Sequence, residues 1–254
     1  MGFFDFLRKS NPPPASSAAP SGKKVAGPAK VVADKRAQTY DRLEALQQLA
    51  EMKSGDAAAA LLKRFTFVID PSITDQEEKD IAFEGVVAAG KDAVPAVIEF
   101  CAKAEALTWP LKILRELLED DEYREELLEL LTRYDTEYAR NVEPKLQIIS
   151  ALEAVVDDDV RETVEPFLED VNETVRFHAV QTTFAQNNAA CVPAFVKLLE
   201  AEESVRIKNK VAEGLSFRGW VIATELREKT SAALRDTSGY SIGADGKIKK
   251  GPSY

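Results

Sequence analysis

The chain has 254 residues, of which 45% are apolar and 30% charged, and its formal net charge at pH 7 is −10. This balance is typical of a folded globular protein, and no stretch approaches the ~20 consecutive apolar residues that a membrane-spanning helix needs. Charged side chains interrupt the first apolar residues, which excludes a secretory signal, so we expect a cytoplasmic protein.

The first nine residues, MGFFDFLRK, form a short amphipathic segment. On a helical wheel its large apolar side chains share one side, and they are Phe3, Phe4, Phe6 and Leu7. Because so short a helix is marginal alone in water, we expect it to become ordered only on docking. Three interpretations stay open: docking to a partner protein, peripheral contact with the inner face of a membrane, or a piece that folds back on its own chain or frays.

Residues 10–36 are rich in Pro, Ala, Ser, Gly and Lys. Such a segment buries too little apolar area to offset the entropy lost on ordering. The composition therefore predicts a disordered, flexible linker.

Residues 37–236 contain a repeating helical pattern. A basic residue opens each of six apolar-periodic segments, and the six are Arg42, Lys79, Lys112, Lys145, Arg176 and Arg206. Apolar residues follow at helical spacing, and in two units a proline, Pro95 or Pro193, marks the first turn of a second helix. One helical hairpin cannot bury its apolar face alone, so the pattern predicts an all-α solenoid of about six stacked hairpins.

The most regular copy spans residues 171–206. It carries Val175-Arg176 in the first helix and Val192-Pro193 at the start of the second, and the next copy opens with Val205-Arg206. These phrases resemble the HEAT-like repeat of bacterial proteins, the type found in phycobilin lyases and in many scaffolds. The resemblance covers residues 40–236 and implies an armadillo-like helical fold, while it says little about function.

Residues 237–254 return to Gly, Ser, Asp and Lys. Tyr240, Ile242 and Ile248 alternate around Asp245-Gly246, a good hairpin turn. A flexible tail and a small hairpin are both open, because an isolated hairpin is barely stable.

The residues that usually carry chemistry are sparse. His178 is the single histidine, and Cys101 and Cys191 lie three repeats apart among apolar residues, which indicates buried free thiols. No nucleophile elbow, phosphate-binding glycine loop or calcium loop is present, and the acidic runs at 119–122 and 157–159 have the positions of helix caps. We therefore expect no catalytic residue, no metal site and no cofactor.

Two tryptophans are candidate anchors for a partner. Trp220 follows Phe217 and Arg218, and Trp109 opens the third unit. Exposed aromatic and arginine side chains are the usual anchors of protein interfaces. The alternative is that both tryptophans fill gaps between irregular repeats.

Charge completes the functional prediction. Residues 37–236 hold 23 basic and 40 acidic residues, a net charge of −17. This acidity disfavours nucleic acid and favours a partner protein with a basic surface. The leading hypothesis is a non-catalytic, protein-binding adaptor or scaffold; the alternatives, both from the resemblance, are an enzyme or chaperone of the bilin-lyase kind and a HEAT-like DNA glycosylase.

Overall fold

The computed structural model describes residues 21–251, with side chains described from residue 24. This part of the chain is mostly helical and closes with one two-stranded antiparallel sheet, which confirms the predicted all-α class for these residues. The helices are α1 (Ser21–Val32), α2 (Thr39–Met52), α3 (Gly55–Leu61), α4 (Ser72–Ala88), α5 (Val94–Cys101), α6 (Thr108–Leu117), α7 (Asp120–Leu131), α8 (Glu143–Leu152), α9 (Asp158–Val164), α10 (Glu173–Ala185), α11 (Val192–Ala201), α12 (Val205–Arg218) and α13 (Arg227–Ala233). The strands are β1 (Tyr240–Ile242) and β2 (Ile248–Lys250).

The described part of the chain divides into two compact units, one that ends at Val97 and one that begins at Ile98. In the N-terminal unit α1 packs on α2 and α3, and α2 packs on α4. The prediction of a disordered linker is wrong for residues 21–32, which form α1; Val32 is fully buried. Composition alone does not reveal this helix, because it is stabilised by its packing against α2 and α3.

A buried group of charges lies in the core of the N-terminal unit. Arg42 on α2 and Arg64, in the 3-10 turn Leu62–Thr66 after α3, both donate to the carboxylate of Glu78 on α4. Arg64 also donates to Asp75, which Lys79 contacts from one turn along α4. Each cation therefore has a carboxylate partner, which is the condition for tolerating buried charge.

The C-terminal unit is built from successive helical hairpins. Its first helices α6, α8, α10 and α12 contact one another in that order. The second helices follow the same order: α7 packs on α9, the 3-10 turn Glu165–Glu169 after α9 packs on α11, and α11 packs on α13. The apolar residues predicted on the inner faces, such as Ile149, Val180 and Val211, are fully buried.

Each of three hairpins in this unit contains an equivalent ion pair with a buried or half-buried cation. A cation in the first turn of the first helix reaches a carboxylate that follows the second helix: Lys145 Nζ–Asp170 Oδ2 at 2.5 Å, Arg176 Nε–Glu202 Oε2 at 2.7 Å, and Lys208 Nζ–Asp236 Oδ2 at 2.9 Å. Arg206, the basic residue that opens this segment in the sequence, does not make the ion pair of the last hairpin. Arg206 instead lies over the Phe177 ring at 3.7 Å, and Lys208, two residues on, makes the ion pair.

The C-terminal residues form the hairpin that was one of the two open interpretations. Tyr240 pairs with Lys250 and Ile242 with Ile248. Ile248 is 2% exposed, since β2 packs on α12. Ile222 N–H donates to Gly246 O at 2.8 Å, so the hairpin is tied to the segment after α12 rather than isolated in water.

Candidate protein-binding site

Helix α12 ends in a way that brings three predicted anchors together. Gly219 has φ +61, and its N–H donates to Leu215 O at 3.1 Å. A glycine in this left-handed conformation is a common helix terminator. The chain reversal places Phe217, Arg218 and Trp220 around the last turn of α12.

The floor under these residues is Phe184 of α10. Its ring stacks on Phe195 of α11, with centroids 4.1 Å apart, and lies 6.1 Å from Trp220. Gly214 lets α12 approach this ring closely, because a Cβ added there would lie 2.4 Å from Phe184 atoms. Sequence reasoning missed both Phe184 and Gly214 as members of this group, although a glycine inside a helical apolar pattern often signals close packing.

Arg218 has an unusual environment for a half-buried guanidinium. It lies over Phe184 at 4.6 Å and Trp220 at 5.4 Å, and its Nη2 donates to Phe184 O at 2.7 Å. Its Nε is buried and finds no acceptor in the described part of the chain. Burial lowers the pKa of Arg218 from its usual value, as expected where water is removed from a cation.

Other arginines of the same unit show what Arg218 lacks. Arg176 pairs with Glu202, and Arg161 bonds three carboxylates around it. Among residues 24–251 no carboxylate lies within ion-pairing distance of Arg218. Its ring contacts and carbonyl acceptors compensate its charge only in part.

An open depression of about 400 Å³ adjoins Arg218. It lies where the C-terminal ends of α8, α10 and α12 meet, and its lining comprises Glu153, Gln181, Phe184, Ala185, Lys210, Glu213, Gly214, Phe217 and Arg218. Phe217 is 87% exposed, although it is a large aromatic residue that burial would stabilise. We call Phe184, Phe217, Arg218, Trp220 and this depression the Arg218 surface.

The other predicted anchor, Trp109, lies elsewhere. It is half-buried in the first turn of α6, and Lys112 Nζ lies 5.1 Å from its ring centre. Of the four candidate anchors, Phe217 and Arg218 line the depression and the Trp220 ring lies 5.4 Å from the Arg218 guanidinium, whereas Trp109 lies on a different helix, α6.

Acidic connectors border the same edge of the C-terminal unit. Asp157 accepts from Asp159 N–H as an N-cap, and Glu119 and Glu122 form a capping box on α7, so the predicted capping role is confirmed. Arg124 bridges Asp121 at 2.8 Å and Asp157 at 3.4 Å. The connector after α8 is held to the end of α10, since Asp157 N–H donates to Gln186 and Asn188 donates to Asp158.

The residues considered for chemistry occupy unremarkable places. Cys101 and Cys191 are buried free thiols, as predicted, and burial raises the pKa of each to about 12. His178 Nδ1 lies 3.0 Å from Ser150 Oγ, on neighbouring first helices. Within residues 24–251 no group of three His, Cys, Asp or Glu side chains is arranged to hold a metal ion.

The signature residues of the repeat have structural positions. Val175 is fully buried, whereas Val205 is 54% exposed, and Pro95 and Pro193 stand exposed in the first turns of α5 and α11. The predicted docking residues Phe3, Phe4, Phe6 and Leu7 lie outside the described residues. Across the described range no helix combines the length and the apolar character needed to cross a bilayer.

Comparison with known proteins gives no family assignment. No family model matches the sequence, and neither the curated proteins nor the solved structures contain a match.

Proposed function

We propose that this chain is a HEAT-type helical-repeat adaptor that holds a partner protein and performs no catalysis. The ordered contacts of first helices with first helices and of second helices with second helices support a solenoid arrangement of the hairpins. The repeat phrases around Val175-Arg176 and Val205-Arg206 support the HEAT type, since each opens a first helix.

The observation that carries the proposal is the Arg218 surface. A phenylalanine that is 87% exposed stands beside an arginine that has no carboxylate partner among residues 24–251, above a shallow depression. Aromatic and arginine side chains dominate the binding energy of protein interfaces when a partner buries them. One partner that covers this surface would bury Phe217 and also compensate the charge of Arg218.

The partner also meets an acidic border. The connector at 157–159 is hydrogen-bonded to the residues that follow α10, and Arg124 links it to the connector at 119–122. A basic surface on the partner would be attracted there, and association would slow as salt rises because ions screen these exposed charges.

A capture and reconstitution experiment tests the proposal. Three chains are each immobilised and exposed to native lysate: the wild type, Phe217→Ser and the control Tyr138→Ser. Each protein that the wild type retains is then purified, and its affinity for the three chains is measured by titration. Tyr138 is 85% exposed and lies outside the Arg218 surface, so it is a matched loss of an exposed aromatic ring. We expect a purified partner whose affinity falls about tenfold or more with Phe217→Ser, in the range of interface anchors, and is unchanged with Tyr138→Ser. Equal affinity of the partner for all three chains would show that the Arg218 surface is not its binding site. If no retained protein bound the wild-type chain after purification, the adaptor function would be refuted.

A further inference from the structure

We infer that the Arg218 surface recognises a partner segment that presents one carboxylate beside a large apolar side chain. This inference rests on the proposed function and adds the chemistry of the partner. It requires that Arg218 bind the carboxylate while Phe217 packs on the apolar neighbour.

The carboxylate follows from the charge balance at Arg218. The guanidinium is half-buried and has two carbonyl acceptors, Phe184 O at 2.7 Å and Gly214 O at 3.4 Å. A guanidinium carries five N–H donors, so donors remain after these two bonds. Carbonyl oxygens bring no formal charge, whereas a carboxylate would add a charge-assisted hydrogen bond in a site already shielded by Phe184 and Trp220.

The rest of the lining limits the ligand to a single acidic group. Lys210 adds a second cation at the depression, while Glu153 and Glu213 add two carboxylates. A run of acidic residues would meet repulsion from Glu153 and Glu213. One carboxylate flanked by neutral or basic residues fits this arrangement, and it is compatible with a partner whose wider surface is basic.

The apolar neighbour follows from Phe217. This ring is next to Arg218 in the chain and is almost fully exposed, so a ligand bound to Arg218 comes within reach of it. Burying a phenylalanine side chain is favourable because it removes a large apolar surface from water. A segment that carried only the carboxylate would leave this contribution unused.

A peptide array tests the inference directly. Short peptides carry a central pair in which Glu, Gln or Lys precedes Phe, Leu or Ala, in a background of Gly, Ser and Lys. The full chain is applied as wild type, as Arg218→Gln, as Phe217→Ser and as Arg235→Gln, and hits are titrated by fluorescence anisotropy. Arg235 is exposed and lies outside the depression, so its substitution is the matched loss of one arginine charge.

We expect the wild type to prefer Glu-Phe and Glu-Leu peptides and to lose about tenfold in affinity when the peptide Glu becomes Gln, which corresponds to ~1.4 kcal/mol. The same Glu-to-Gln change should have almost no effect on binding to the Arg218→Gln chain, because the two charges act as a pair. Arg235→Gln should behave like the wild type. Circular dichroism and thermal unfolding of all the variants verify that the fold is retained.

Two outcomes would overturn the inference in distinguishable ways. Peptides that bind regardless of their central acid, and weaken only with Phe217→Ser, would show an apolar docking site and leave the adaptor function standing. An array in which no peptide responds to a substitution at Arg218 or Phe217 would count against both the inference and the proposed function.

Discussion

Arg42 and Glu78 meet across helices α2 and α4 in a bidentate ion pair, with Arg42 Nε 3.0 Å and Nη2 2.9 Å from the Glu78 carboxylate oxygens. Their side chains are 2% and 0% exposed. The same carboxylate accepts from Arg64 Nε at 2.6 Å. One glutamate therefore compensates two buried guanidinium groups, and the N-terminal unit depends on it.

Glu78→Gln is the sharpest test of this dependence. The amide keeps the shape but removes the negative charge, so Arg42 loses its carboxylate partner and Arg64 keeps only Asp75. We expect a loss of about 3–5 kcal/mol in the stability of the N-terminal unit, the range for breaking a buried ion pair from one side. Hydrogen exchange of amides in α2 and α4 and thermal unfolding measure it. The control is Glu77→Gln, the exposed neighbour, for which a loss of similar size would contradict this account.

The environment of Asp75 predicts that the N-terminal unit loses stability in acid. Burial alone would raise the pKa of Asp75, but hydrogen bonds from Lys79, Arg64 and the Ile69 N–H outweigh burial and lower this pKa below 3.8. A carboxyl whose pKa is lower in the folded state stabilises the fold above its unfolded pKa, and this contribution disappears as pH falls through the folded pKa.

The measurement is the unfolding free energy as a function of pH. We expect wild-type stability to fall below about pH 4, near the ordinary carboxyl pKa, and Asp75→Asn to show a shallower fall from a lower plateau. Asp80→Asn, an exposed change on the same helix, should follow the wild-type curve. Parallel curves for the wild type and Asp75→Asn would show that this carboxyl does not link stability to pH.

The sequence predicted the helices far better than the contacts between them. Apolar spacing after Arg42, Lys145 and Arg176 located first helices because burial of one helix face is a local, periodic signal. The carboxylates that pair with these cations lie 36, 25 and 26 residues further along the chain, two of them outside the first helices, so no local pattern could identify them. Only the packed hairpins bring them together.

The candidate site, too, could be predicted from the sequence only where its residues are neighbours in the chain. Phe217, Arg218 and Trp220 were predictable as a group because they are adjacent in the chain. Phe184 lies 34 residues before Arg218, and it joins them because α10 and α12 pack side by side. Helix α1 was missed for a related reason: its stability comes from contacts with α2 and α3, which composition does not encode.

Gly214→Ala should destabilise the C-terminal unit. In an open helix position this change stabilises by about 1 kcal/mol, because alanine favours the helix. At Gly214 the new Cβ would lie 2.4 Å from the Phe184 ring, which Phe195 holds by stacking. We expect a net loss of about 1–3 kcal/mol from overpacking.

The matched control is Gly214→Ala in a Phe184→Leu background, where the ring atoms that the new Cβ would approach are absent. If overpacking against the ring causes the loss, denaturant unfolding should show a smaller loss in that background than in the wild type. A stabilising Gly214→Ala would show that the ring moves away at little cost, and the floor of the Arg218 surface would then be softer than its packing indicates.

The buried side chain of Ile248 should stabilise the packing of the C-terminal hairpin on helix α12. Its side chain is 2% exposed where β2 packs on α12, while Lys249, the next residue, is exposed. Truncating a buried isoleucine to alanine costs about 2–5 kcal/mol through lost burial and the cavity that remains. Ile248→Ala should therefore lower the stability of the C-terminal unit and speed hydrogen exchange in β1, β2 and the last turns of α12. Lys249→Ala should change stability little, because an exposed lysine on a strand contributes through solvent-screened contacts alone.

If Ile248→Ala released only the hairpin amides and left α12 protected, the hairpin would be an appended element whose loss the repeats tolerate. Joint loss of protection would instead show that it caps the last apolar face, as terminal elements do in repeat proteins.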